Sequence, residues 1–162
     1  MKTKLAFFDI DGTLSAPYYP VEGELKPGMT DEQWITFCKE YGEDSYFFCK
    51  PVMPVKRYAE KLREQGAELY VLSTSQTPEE DISKVKFIGR FYSGLFQEVL
   101  TVRRDADKVG RILELAEQKK IEADACELVE DTYSNVLLAV TNGIRATHIS
   151  QIVQDLQEER RE

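Results

Sequence analysis

Three short apolar runs in this chain end in residues that can do chemistry. Leu5–Phe8 is followed by Asp9-Ile10-Asp11-Gly12-Thr13, and Leu69–Leu72 by Ser73-Thr74-Ser75. Cys126–Val129 is followed by Glu130-Asp131-Thr132, and Lys108 stands at the start of the helical pattern before it. In an open parallel sheet, ligands bind beyond the carboxyl ends of the strands, so these residues could converge on one edge. The carboxylates of Asp9, Asp11, Glu130 and Asp131 would repel one another there unless a cation sat among them. All-oxygen donors suit Mg²⁺, which binds through a few carboxylates and a substrate phosphate. A carboxylate can also act as a nucleophile and form an aspartyl-phosphate. The lysine and the hydroxyls would then hold the phosphoryl oxygens as charge redistributes.

The elements that must position these residues are legible as alternating strands and helices, the pattern of a parallel α/β sheet. Five strands are expected: Leu5–Phe8, Leu69–Leu72, Val99–Val102, Cys126–Val129 and Ile144–Ile149. Val55, Tyr58, Ala59 and Leu62 share one helix face, with Pro54 in the first turn and Gly66 past the end. Val109, Ile112, Leu113 and Ala116 repeat the spacing, Val136, Ala139 and Val140 make a short helix, and Ile149–Leu156 close the chain. Thr77-Pro78-Glu79-Glu80 reads as a helix start rather than a site.

Residues 15–50 break the alternation. No clear strand is visible between Leu14 and Pro51, and Thr30-x-x-Gln33 is a capping box that opens a helix carrying Trp34, Phe37, Cys38 and Tyr41. The segment is expected to be a small helical insertion in a single domain spanning residues 1–162. It holds too little for an independent core, so the site should be open or only partly lidded. Its aromatics, among them Tyr18, Tyr19, Trp34, Tyr46, Phe47 and Phe48, either pack the helix on the sheet or rim the site.

Asp9-Ile10-Asp11-Gly12-Thr13 resembles the first motif of the haloacid dehalogenase superfamily. Ser73, Lys108 and Glu130-Asp131 are similar to its second, third and fourth motifs, in the family's order, across residues 5 to about 149. The resemblance implies a Rossmann-like three-layer fold with five core strands and a minimal cap or none. It implies that Asp9 is the nucleophile and that Asp11 is the general acid, then the base. It implies Mg²⁺ held by Asp9, Asp131, the Asp11 backbone carbonyl and, directly or through water, Glu130. Thr13, Ser73, Thr74 and Lys108 would hold the phosphate. Many members carry a further Asp where this chain has Asn135. Lys84 and Lys86 are nearby alternatives to Lys108, and His148 is expected to be packed or exposed rather than catalytic.

The expected activity is Mg²⁺-dependent hydrolysis of a small phosphorylated metabolite or nucleotide. Its alternatives are a phosphotransferase on the same fold and a non-catalytic binding module. A net charge of −8 repels a polyanion over most of the surface, so nucleic acid is not the expected partner. No apolar run reaches the roughly 18 residues of a membrane span, and the first run is too short for a secretory signal. A cytoplasmic monomer or homodimer is expected. Cys38, Cys49 and Cys126 match no metal or disulfide pattern and should be buried thiols.

Overall fold

The computed structural model describes residues 2–161. In chain order β1 is Leu5–Phe8, β2 Ser15–Ala16, β3 Tyr19–Val21 and β4 Glu24–Lys26. Helix α1 (Asp31–Tyr41) follows, then a 3-10 turn at Gly42–Asp44, β5 (Lys50–Pro51) and α2 (Met53–Glu64). The second half alternates: β6 (Glu68–Thr74), α3 (Pro78–Phe91), β7 (Glu98–Val102), α4 (Asp107–Lys119), β8 (Cys126–Glu130), α5 (Tyr133–Thr141), β9 (Arg145–His148) and α6 (Ile149–Glu159).

The five long-range strands form one parallel sheet in the order β7-β6-β1-β8-β9. β1 is central, and both its faces are covered, which is why Leu5–Phe8 is apolar without alternation. Leu5 and Phe7 turn toward α4 and α5 in a core with Tyr70, Leu72 and Leu128. Ala6 and Phe8 turn the other way, toward Val55, Ala59, Phe87 and Ile152 from α2, α3 and α6. The expected three-layer α/β architecture is therefore present. After β1 the chain builds outward through β6 and β7, then returns to the other side of β1 with β8. The reversal makes the β1–β8 gap a switch point, where a crevice opens beyond the strand ends. Phe8 lies level with Val129 of β8 and Val71 of β6, so Asp9 emerges beside Glu130 and Leu72.

Two expectations are corrected. The segment between Leu14 and Pro51 does contain strands: β3 and β4 form a hairpin, and β2 pairs antiparallel with β5 where the insertion leaves and rejoins the fold. The last strand ends at His148 rather than Ile149, because His148 caps α6 through its side chain and its backbone N–H is bound by Gln151. The helix in the insertion forms as expected, with the reciprocal Thr30–Gln33 capping box. All three cysteines are buried free thiols. No described helix is long and apolar enough to cross a membrane.

Candidate active site

Asp9, Glu130 and Lys108 meet at the carboxyl ends of β1 and β8. Lys108, in the first turn of α4, donates to Asp9 Oδ1 at 3.0 Å and to Glu130 Oε2 at 2.9 Å. All three side chains are buried. The other Glu130 oxygen accepts the Thr132 backbone N–H at 3.3 Å, so both of its oxygens are engaged. Carboxylate oxygens of Asp9, Glu130 and Asp131 lie within 4.8 Å of one another, a spacing that fits oxygen donors around one cation.

Gly12 makes that spacing possible. Its φ is +76°, and a Cβ there would lie 2.1 Å from Asp131 Oδ2. The Asp131 carboxylate therefore occupies the space a side chain would fill. The Asp131 backbone carbonyl bonds His148 Nε2 at 2.8 Å, while His148 Nδ1 accepts the Ser150 N–H that opens α6. So His148, expected to be packed or exposed rather than catalytic, braces the Asp131 backbone through its ring.

The charge balance is uneven. Burial, set against the pull of Lys108 and reinforced by Glu130 and Asp11, pushes the Asp9 carboxyl up to about 8. Burial, and then the Asp9 charge, also raises Asp131. Burial opposes the charge on Lys108, yet Asp9 and Glu130 outweigh it and hold its pKa above the usual range. One dication among the three carboxylates would relieve the excess.

A second lysine enters from α3. Lys84 is fully buried and donates to Ser73 Oγ at 2.8 Å and to the Thr74 carbonyl at 2.6 Å. It also pairs with Glu80 at 3.1 Å and reaches Asp11 Oδ2 at 3.5 Å. Glu80, read from sequence as part of a helix start, does lie in the first turn of α3, but it is buried as well. It accepts the Gln76 N–H at 2.7 Å and Trp34 Nε1–H at 3.4 Å, tying α3 to the insertion. Lys86 instead pairs with Asp44 and Glu43 on the surface.

Asp11 is half-exposed and faces a cleft of about 480 Å³. Gly12 and Asp131 form its floor, and Pro17, Tyr19, Met29 and Trp34 of the insertion form one wall. Tyr46 donates to Asp11 Oδ1 at 2.6 Å and Tyr19 donates to the same oxygen at 3.3 Å. The opening thus exists at Asp11 and Asp131, while Asp9 lies beneath it at 6% exposure. Five of the eight insertion aromatics serve the core, with Tyr19, Phe37 and Tyr46 buried and Trp34 and Tyr41 packed partly buried against it, while Tyr18, Phe47 and Phe48 are exposed. Of the hydroxyls, Ser73 is buried under Lys84, Thr74 Oγ1 donates to Asp105, and Thr13 Oγ1 is buried without a partner among the described residues.

No family model and no curated protein sequence matches the chain. Solved structures do. A hydrolase from Streptococcus pneumoniae TIGR4 superposes with a TM-score of 0.65 at 16% identity, covering 97% of this chain and 100% of that one. A HAD family enzyme from Bacteroides thetaiotaomicron, solved with magnesium and inorganic phosphate, gives 0.54 at 13% identity, over 90% and 93% of the two chains. The 3-deoxy-D-manno-octulosonate 8-phosphate phosphatase from Moraxella catarrhalis, solved with magnesium, phosphate and KDO, gives 0.52 at 19% identity, over 85% and 62%. At such identities the likeness is one of fold.

Proposed function

The chain has the haloacid dehalogenase-like fold, and from that premise we propose that it is a Mg²⁺-dependent phosphomonoester hydrolase with Asp9 as nucleophile. One observation carries the reading: Asp9 is buried at the switch point, held by Lys108, beside Asp131 and beneath a cleft faced by Asp11. Asp9, Asp131 and the Asp11 backbone carbonyl would hold Mg²⁺. Glu130, with both oxygens engaged, would steady Lys108 and reach the ion through water. Bound there, Mg²⁺ would offset phosphate charge and help hold a phosphoryl oxygen.

In the first step an Asp9 oxygen bonds to phosphorus. The bond from phosphorus to the ester oxygen breaks, its electron pair leaves on that oxygen, and Asp11 supplies the proton. Lys108 faces the transferring group, and Lys84 fixes Ser73 beside it. In the second step water attacks phosphorus and gives its proton to Asp11. The Asp9–phosphorus bond breaks and the carboxylate is restored. The rest of a small substrate, a metabolite or a nucleotide, would lie in the cleft against Trp34, Met29 and Tyr19.

The test is hydrolysis of p-nitrophenyl phosphate in millimolar Mg²⁺, in EDTA, and by Asp9→Asn. Turnover should require the metal and vanish in the variant with the fold intact. Activity in Asp9→Asn within about tenfold of wild type would overturn the assignment, since losing a nucleophile raises the barrier by many kcal/mol.

A further inference from the structure

A carboxyl group that hands over a proton must present one chosen oxygen to the leaving group. The last torsion of an aspartate is soft and roughly two-fold, so nothing intrinsic to Asp11 selects that oxygen. The fold does. Oδ1 accepts from Tyr46 at 2.6 Å and from Tyr19 at 3.3 Å, while among the described residues Oδ2 has only the 3.5 Å ion pair with Lys84.

Tyr46 is itself immobilised. It is 2% exposed, in the turn after Gly42–Asp44, with edge contacts to Tyr19 at 6.2 Å and Trp34 at 6.0 Å between ring centroids. Phe87 lies 6.1 Å away on α3, and Lys84 Nζ sits 5.7 Å from the ring centre. A ring so confined on all sides holds its hydroxyl at a defined point. Both tyrosines belong to the insertion, and Asp11 belongs to the loop after β1.

We propose that Tyr46, assisted by Tyr19, is the positioning residue for Asp11: the phenols take Oδ1 and leave Oδ2 to carry the proton to the leaving group. The insertion is then part of the proton-transfer apparatus rather than a lid. This rests on Asp11 being the general acid, and the test separates the two ideas.

Phenyl phosphate and p-nitrophenyl phosphate have nearly the same shape. Phenolate is a strong base that needs a proton on departure, whereas the nitro group spreads the charge of its counterpart. The quantity to measure is kcat/KM in saturating Mg²⁺, which reports events up to the first phosphoryl transfer. Tyr46→Phe removes one oxygen and keeps the ring. It should lose roughly thirtyfold on phenyl phosphate and no more than about threefold on p-nitrophenyl phosphate, because general-acid assistance of about 10²–10⁴ acts only where protonation matters. Tyr19→Phe, losing the longer bond, should show the same bias more weakly. In an Asp11→Asn background, Tyr46→Phe should add less than about twofold, since residues acting as a unit are not additive. Equal losses on both substrates, or a full further loss in the Asp11→Asn background, would overturn the positioning role alone. Absence of turnover by the wild-type protein on both esters would remove the hydrolase reading and this proposal with it. Should Tyr46→Phe not fold, the Tyr19→Phe ratio decides.

Discussion

Replacing Gly12 by alanine tests the site through geometry alone. The new Cβ would lie 2.1 Å from Asp131 Oδ2 and 2.8 Å from its Cγ. Ordinary contact begins at 3.4 Å, so the carboxylate must retreat by about 1.3 Å. Such a move takes Asp131 out of the three-carboxylate set, and a misplacement of about 1 Å costs on the order of 10²-fold in rate. The left-handed backbone adds a separate cost of roughly 1–2 kcal/mol, or about 2–8 °C in melting temperature for a chain of this size. Gly94→Ala isolates that second cost, because Gly94 has φ +75° and nothing within 4 Å of its Cβ position. Both variants should melt a few degrees low. Only Gly12→Ala should lose p-nitrophenyl phosphate turnover by about 10²-fold and lose the upward melting shift given by Mg²⁺. If Gly12→Ala keeps the metal shift and stays within about threefold of Gly94→Ala in rate, Asp131 is not the ligand argued for.

The metal-free protein should lose stability as pH rises. Asp9 binds its proton up to about 8 when folded but only to its ordinary 3.8 when unfolded, so over that window the native state holds the extra proton. The native advantage, on the order of 5 kcal/mol if Asp9 alone titrates, is full below about 4 and spent by about 8. Mg²⁺ should remove the decline, so its melting shift should grow from pH 5.5 to 8; a flat or opposite trend would refute the buried-carboxylate account. Lys108→Met should cut turnover by at least about 10²-fold, since it removes the cation between Asp9 and Glu130. Lys86→Ala, a surface pair, should change turnover little, while Lys84→Met should fall with Lys108, and the reverse order would misplace the second lysine.

Lys84 and Lys86 show what could be read from sequence and what was missed. Two residues apart on a helix, they face nearly opposite ways. Glu80, Lys84, Phe87 and Ile88 fall on one buried stripe of α3, so helical periodicity already placed Lys84 inward and Lys86 outward. The charges of Glu80 and Lys84 obscured it, because a stripe is usually sought among apolar residues. The three inner strands, β1, β6 and β8, were legible because burial on both faces writes them as largely apolar runs, whereas the edge strands β7 and β9 are only partly buried. The β3–β4 hairpin was not. Its turn puts both Glu22 (φ 52°) and Gly23 (φ 79°) in the left-handed region, and Glu22 is not the Asn or Asp that usually signals such a turn. Strands of two residues such as β2 and β5 are too short to show any period. The side-chain bonds from Tyr19 and Tyr46 to Asp11 span 8 and 35 residues and, for Tyr46, a hairpin and a helix, so no single spacing rule relates the partners.

The pairing of β2 with β5 sets Ser15 opposite Pro51 and Ala16 opposite Lys50, so the chain departs and returns at nearly one point. A segment joined through so narrow a neck can be lengthened, shortened or exchanged during descent while the sheet keeps its register. Here the exchangeable piece carries the cleft wall and the two hydroxyls that hold Asp11. Selectivity and proton delivery would then be inherited as one cassette. A graft chosen for a new substrate would also bring its own way of aiming Asp11, or none.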